Sequence, residues 1–147
     1  MQLSPHFTLE EMVASQVAER LGIDNTPTPE VVARLQHLCE RALEPARAAV
    51  GPIRISSGYR SPALNAAIPG SSKVSDHQYG DAADCLPLQA SKLALARWFV
   101  ANIDFDQVIL EFGTEDEPAW VHVSTSPKRR RQVLRILKGT GYVPIAL

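Results

Sequence analysis

Apolar positions recur along this chain at two different periods. In the first half the period is helical. Thr8-Leu9-Glu10-Glu11 reads as a capping box, with Thr8 at the N-cap and Glu11 reaching back to the Thr8 amide. Phe7 and Met12 stand where a hydrophobic staple needs them, and Gly22 is a stop, so the pattern predicts a helix over about 9–21. Asn25-Thr26-Pro27 is a turn. Thr28-Pro29-Glu30 restarts the helical pattern, and Val31, Leu35, Leu38 and Ala42 then repeat on one face. Pro45 kinks this helix or opens a new one before Gly51-Pro52 closes it. Further helices are expected at about 62–67, after Ser61-Pro62, and from the Ser91 cap to about Asn102.

In the second half the period shortens to two. Ile53-Arg54-Ile55-Ser56 is an early strand, and residues 81–86 are a short one. Residues 105–112 alternate, and an acidic turn from Gly113 to Pro118 leads into a returning strand at 120–125. A last strand is expected near 131–137. Helices early and strands late predict an α+β fold, with N-terminal helices packed on a mainly antiparallel sheet. No repeat or linker divides the 147 residues, so one domain over 1–147 is expected, with a motif-bearing core at about 53–126.

Bulk properties narrow the function classes. Apolar residues make up 45% and charged residues 21%, ordinary for a globular chain, and the net charge of −1 gives no electrostatic case for nucleic acid. No run of about 18 apolar residues exists to span a membrane. The first residues, MQLSPHFTLEEM, lack the basic region and apolar stretch of a secretory signal, so the expected site of synthesis is the cytoplasm. Lys128-Arg129-Arg130-Arg131 is the one dense basic run; it reads as a solvated loop and strand start, or as a contact for an anionic surface such as a bacterial wall. Cys39, on a helix, and Cys85, at a strand end, are expected to stay reduced. Oligomeric state has no signature in the sequence.

The candidate chemistry sits in two stretches, Ser75-Asp76-His77-Gln78-Tyr79-Gly80-Asp81-Ala82-Ala83-Asp84 and Trp120-Val121-His122-Val123-Ser124. His77, Asp84 and His122 offer two imidazoles and one carboxylate, a donor set suited to one Zn2+ ion. Three protein ligands leave a coordination position open, which is the catalytic arrangement. Alternation on the second stretch puts Trp120, His122 and Ser124 on one face. A hydrolase of this kind needs a carboxylate base. Glu111, in phase with Phe105, Gln107 and Ile109 on its strand, is the first candidate, and Glu117 in the hairpin loop is the alternative. Arg60, in a strand-to-helix turn, can clamp a carboxylate or steady negative charge on a peptide oxygen. Ser75 can donate to the same substrate carboxylate or cap the loop.

SSGYRSPALNAAI, SDHQYGDAAD, FDQVILEF and WVHVS together resemble the zinc D-Ala-D-Ala carboxypeptidase family, closest to its short, phage-associated peptidoglycan peptidases. The resemblance runs over about residues 7–126 and takes in FTLEEMVAS and GIDNTPTPEVVARLQHLCERALEPAR. It implies His77, Asp84 and His122 as zinc ligands and Arg60 as the contact for the substrate's terminal carboxylate or scissile carbonyl. It implies hydrolysis of a peptide bond in peptidoglycan stem peptides, by a carboxypeptidase-like or endolysin-like enzyme reaching the wall after release. Some members carry an acidic residue three positions before the last histidine, where this chain has Ala119. The related fold of hedgehog signalling domains has a Phe-Asp strand with a Glu near its end, the arrangement of Phe105-Asp106 through Glu111. Two other readings compete. One is a non-catalytic metal-binding module of the same fold that holds wall peptides or a protein partner. The other is a cysteine hydrolase using Cys85, which Asp84 disfavours by raising the thiol pKa.

Overall fold

A computed structural model describes the chain from Met1 to Leu147. It opens with a small antiparallel hairpin, β1 (Gln2–Ser4) and β2 (Phe7–Thr8), that the sequence pattern did not announce. The Thr8 hydroxyl then accepts the Glu11 amide N–H at 3.1 Å and starts α1 (Leu9–Val13). Glu11 does not return to Thr8; its carboxylate accepts the Ile55 amide N–H at 3.4 Å and ties the helix to the sheet.

The single helix expected over 9–21 is two helices. Ala14 turns extended, and Ser15 caps α2 (Gln16–Leu21), which ends at left-handed Gly22. The break has a purpose in the packing. It turns the Met12 and Val13 carbonyls outward, where they accept the Tyr59 N–H at 2.8 Å and the Asn25 side-chain amide at 2.9 Å. Thr28 caps α3 (Pro29–Leu38). A π-turn at Cys39–Leu43 joins it to α4 (Glu44–Val50). The wider turn accommodates the Pro45 ring, which lacks the N–H that an α-turn would direct at residue 41.

The rest of the chain is β3 (Ile53–Ser57), α5 (Pro62–Ala67), a 3-10 turn at Asp76–Tyr79, β4 (Ala82–Pro87), α6 (Lys92–Asn102), β5 (Gln107–Glu111), β6 (Trp120–Ser124), β7 (Gln132–Ile136) and β8 (Val143–Pro144). The six strands order as β3-β4-β6-β5-β7-β8. All neighbours are antiparallel except β5 and β7, so the fold is α+β with a mainly antiparallel sheet, as expected. Alternation sorts its residues. Ala83, Cys85, Val108, Leu110, Val121 and Val123 are buried in one core with Met12, Leu35, Leu38, Leu43, Leu95 and Phe99. Each large side chain buried there contributes roughly 1.5–3 kcal/mol. The residues between them, Asp84, Ile109, Glu111 and His122, therefore share the opposite face.

The basic run is not a free patch. Arg129 and Arg131 take left-handed backbone (φ 45° and 52°), which aims the residue between them inward. Arg130 meets Asp106 with its backbone N–H at 2.8 Å, Nε at 3.0 Å and Nη2 at 2.7 Å, and reaches Asp76 at 3.3 Å. Lys128 lies 3.7 Å from Asp76, and Arg129 and Arg131 lie 3.3 and 3.4 Å from Asp104. The four side chains remain exposed, as the solvated-loop reading expects, while each also lies near a carboxylate.

Burial alone would raise the Asp106 carboxyl, but Arg130 holds it down to about 2. Its folded pKa is depressed, so its contribution to stability is complete above about pH 4 and is lost as pH falls toward 2. Acid titration of the unfolding free energy should show that loss. Arg130→Ala, which leaves Asp106 buried and unpaired and Asp76 with Lys128 alone, should cost roughly 3–5 kcal/mol in urea unfolding.

Candidate functional site

Two strand registers build the site. β4 pairs with β6 so that Asp84 sits directly opposite His122. β6 pairs with β5 so that Ile109 faces His122 and Glu111 faces Trp120. Opposed side chains on one face of an antiparallel pair lie about 4.5–5.5 Å apart at Cβ, close enough to share one ligand.

His77 comes from outside the sheet, on the 3-10 turn. The Ser75 hydroxyl accepts the His77 N–H at 3.2 Å, so the structure uses Ser75 as the cap of this turn, and it also lines the cleft. Gly80 ends the turn at φ 81°, and a Cβ there would meet the Val31 carbonyl oxygen at 2.9 Å. A bulge in β3 between Ile55 and Ser57 then aims the following carbonyl at the turn. His77 Nδ1–H donates to the Gly58 carbonyl at 2.7 Å. A carbonyl can only accept, so the proton is on Nδ1 and the Nε2 lone pair faces the sheet.

The three sequence-selected ligands come together. His77 Nε2 and His122 Nδ1 each lie 3.3 Å from the same Asp84 oxygen, and one ligand atom from each residue falls within a 4.8 Å span. The two rings meet edge to face at 5.0 Å. His77 Nε2 is buried and makes no hydrogen bond. Glu111 Oε2 stands 3.4 Å from His122 Nδ1. The His77 Nε2 lone pair and the Asp84 and Glu111 carboxylates thus converge around His122 Nδ1, which lies within hydrogen-bond distance of Asp84, an arrangement that a cation would satisfy. Two imidazoles and a carboxylate at this spacing can hold a metal ion, and the observed contacts fit one.

Electrostatics separate the carboxylates. Burial would raise Asp84, but the flanking imidazoles hold it well below the ordinary carboxylate range. Burial pushes Glu111 up to about 7, with Asp84 adding to the rise and His122 and Arg60 opposing it. Burial also lowers Arg60, against the pull of Asp84, Glu111 and Tyr142. Arg60 has no carboxylate within ion-pair distance, and its Nε is buried without a partner. Its charge is available to something that enters the cleft. Glu117 is elsewhere: it is exposed in the hairpin loop, where its backbone N–H donates to the Thr114 hydroxyl at 3.1 Å. Cys85 points into the core, and burial followed by Asp84 raises its thiol far above the usual range, while Cys39 is pushed up to about 12. Neither offers a thiolate.

Arg60, His77, Asp84, Glu111 and His122 line a cleft of about 520 Å³. Its floor and far wall include Gln107, Gln132, Leu134, Tyr142 and Pro144, which sequence reasoning did not select. The phase of β5 carried a signal for Gln107, since it lies on the Glu111 face. β8, two residues long, had no periodicity to read.

Residues 5–124 match the family model described as Peptidase M15. No curated protein matches the chain.

Gly58 is the tightest point behind the cluster, because a Cβ there would stand 2.3 Å from the Met12 carbonyl oxygen. Gly58→Ala should push the strand end away and release the His77 ring. Zinc affinity, measured by competition with a chromophoric chelator, should fall roughly 10–100-fold.

Proposed function

The chain belongs to the peptidase M15 family, and on that premise we propose that it is a zinc-dependent hydrolase of peptide bonds in peptidoglycan stem peptides. The observation that carries this reading is the convergence of His77, Asp84 and His122 beside Glu111 in one cleft. The residues proposed to hold the ion are His77 through Nε2, Asp84 through its carboxylate and His122 through Nδ1. A zinc ion bound there supplies Lewis acidity toward the scissile carbonyl and toward water.

The remaining steps belong to the chain's own groups. Glu111 takes the proton of the attacking water and delivers it to the departing amine, so the C–N bond breaks while a C–O bond forms. Its position beside His122, mostly buried, keeps that proton from exchanging into solvent. Arg60 holds the acceptor end of the substrate by its carboxylate, or holds the carbonyl oxygen as negative charge develops there. Phe112 and Trp120, with ring centroids 5.5 Å apart, wall the same end against water. Ser75 adds a hydroxyl to the cleft lining, toward the same substrate carboxylate, while it caps the His77 turn.

A stem peptide is short, extended and flexible, and an open cleft on a sheet face suits it. Carboxypeptidase-like and endolysin-like cleavage both use this assignment and differ in how much substrate lies beyond Arg60. The phage-associated resemblance of the motif-bearing stretches supports a wall enzyme that acts after release. No helix is long and apolar enough to cross a membrane.

Product analysis by mass spectrometry on defined muropeptides tests the assignment. Glu111→Gln should retain stoichiometric zinc and lose roughly 10²–10⁴-fold in kcat. Glu117→Gln should stay within about twofold of the parent, since an exposed loop side chain contributes neither proton transfer nor positioning. A chelator should abolish turnover and added zinc should restore it. Zinc-loaded protein that cleaves no muropeptide would overturn the reading.

A further inference from the structure

We infer that Gln107 and Gln132 form a recognition subsite for a carboxamide group on the substrate, at the end of the cleft opposite Arg60. This rests on the peptidase reading of the same cleft.

The sheet registers lay out the cleft floor in rows. The middle row is Asp84, His122, Ile109 and Leu134. Two residues along β5 in one direction is Glu111, beside Trp120 and near Arg60. Two residues in the other direction is Gln107, in register with Gln132 of parallel β7. Two strand residues advance about 6–7 Å, so the glutamine pair lies about two substrate residues from the metal row. Ile109 and Leu134 make the floor between them apolar.

The two glutamines bond each other, Gln107 Nε2 to Gln132 Oε1 at 2.8 Å. Neither side chain makes another hydrogen bond to the protein. A primary amide has two N–H groups and two acceptor sites. One N–H and one acceptor site are used, so both N–H groups and acceptor sites are left over, side by side on the cleft wall. Exchanging oxygen and nitrogen on both amides reverses the bond and leaves the same surplus. A carboxamide presents a matching acceptor and donor on one edge.

The charge balance favours this group over a carboxylate. Arg130 and Lys128 are the nearby cations, and they face Asp106 and Asp76, two against two. A carboxylate arriving here meets no unpaired cation and sets its oxygens against a glutamine oxygen. At the other end Arg60 is unpaired. The cleft is thus polarised, with an anion-accepting end and a neutral, amide-reading end. Gln132 and its strand lie beyond the stretch that matches the family model, so this wall belongs to the chain's own C-terminal part.

The test uses two stem peptides that are identical except for a side-chain carboxamide or carboxylate on the residue two positions from the scissile bond, on the side away from Arg60. Binding is measured by calorimetry on zinc-loaded Glu111→Gln protein, and turnover on the zinc-loaded parent. The carboxamide peptide should bind about tenfold more tightly, and the ratio should fall to about one when Gln107→Leu and Gln132→Leu are added. Because Gln132 is exposed and Gln107 partly so, these substitutions leave the fold intact, which near-ultraviolet circular dichroism checks. Equal affinities for the two peptides, or a ratio unchanged in the leucine variant, overturn the subsite whatever the turnover. A tenfold ratio without cleavage by the parent upholds the subsite and overturns the peptidase reading.

Discussion

Asp84 is an anion removed from water, and the site is arranged around that fact. A buried carboxylate is costly unless positive or polar groups meet it. Here two imidazole nitrogens stand 3.3 Å from the same oxygen, one from the adjacent strand and one from a turn outside the sheet, and a cation held among the three would meet that charge. The β4–β6 register supplies the first and the Gly58 carbonyl orients the second. A one-residue slip of β4 against β6 would send Asp84 into the core and separate it from His122. Sheet register, turn geometry and metal-binding capacity are one constraint seen at three scales.

The motif residues were legible because their chemistry is rare. Two histidines and an aspartate with a glycine-broken spacing have few structural uses, and the strand phase already put Glu111 and His122 on one face. The sheet, most helices and the α+β class followed from periodicity. What escaped the sequence depends on tertiary partners. The break at Ala14 exists because Met12 and Val13 have carbonyls to give to Tyr59 and Asn25, which a helical pattern does not reveal. Glu11 deserted its capping box for the Ile55 amide for a similar reason. The basic run is solvated as expected, but its carboxylate partners escaped the sequence, because Asp76, Asp104 and Asp106 are scattered along the chain and meet it only in the fold. Ser75 shows the limit in the other direction: a role as turn cap and a role toward substrate are compatible, and sequence alone could not rank them.

The Arg130 cluster links the His77 turn to the strand that carries Glu111. Asp76 is the residue before His77, and Asp106 precedes β5, which bears Glu111. One guanidinium therefore braces the turn behind one imidazole to the start of the strand that presents the carboxylate. The brace comes from the C-terminal part of the chain, which also supplies the far wall of the cleft. The brace behind the histidine–carboxylate cluster and the far wall of the cleft are thereby built on the same late segment of polypeptide.

Both sulfhydryls are sealed beneath the sheet and helices and held in the protonated form. The native molecule therefore offers nothing to maleimides or other alkylating dyes. A cysteine placed at Val74, on the open lip of the cleft, would take a fluorophore alone, and its emission would report occupancy without any background labelling to subtract.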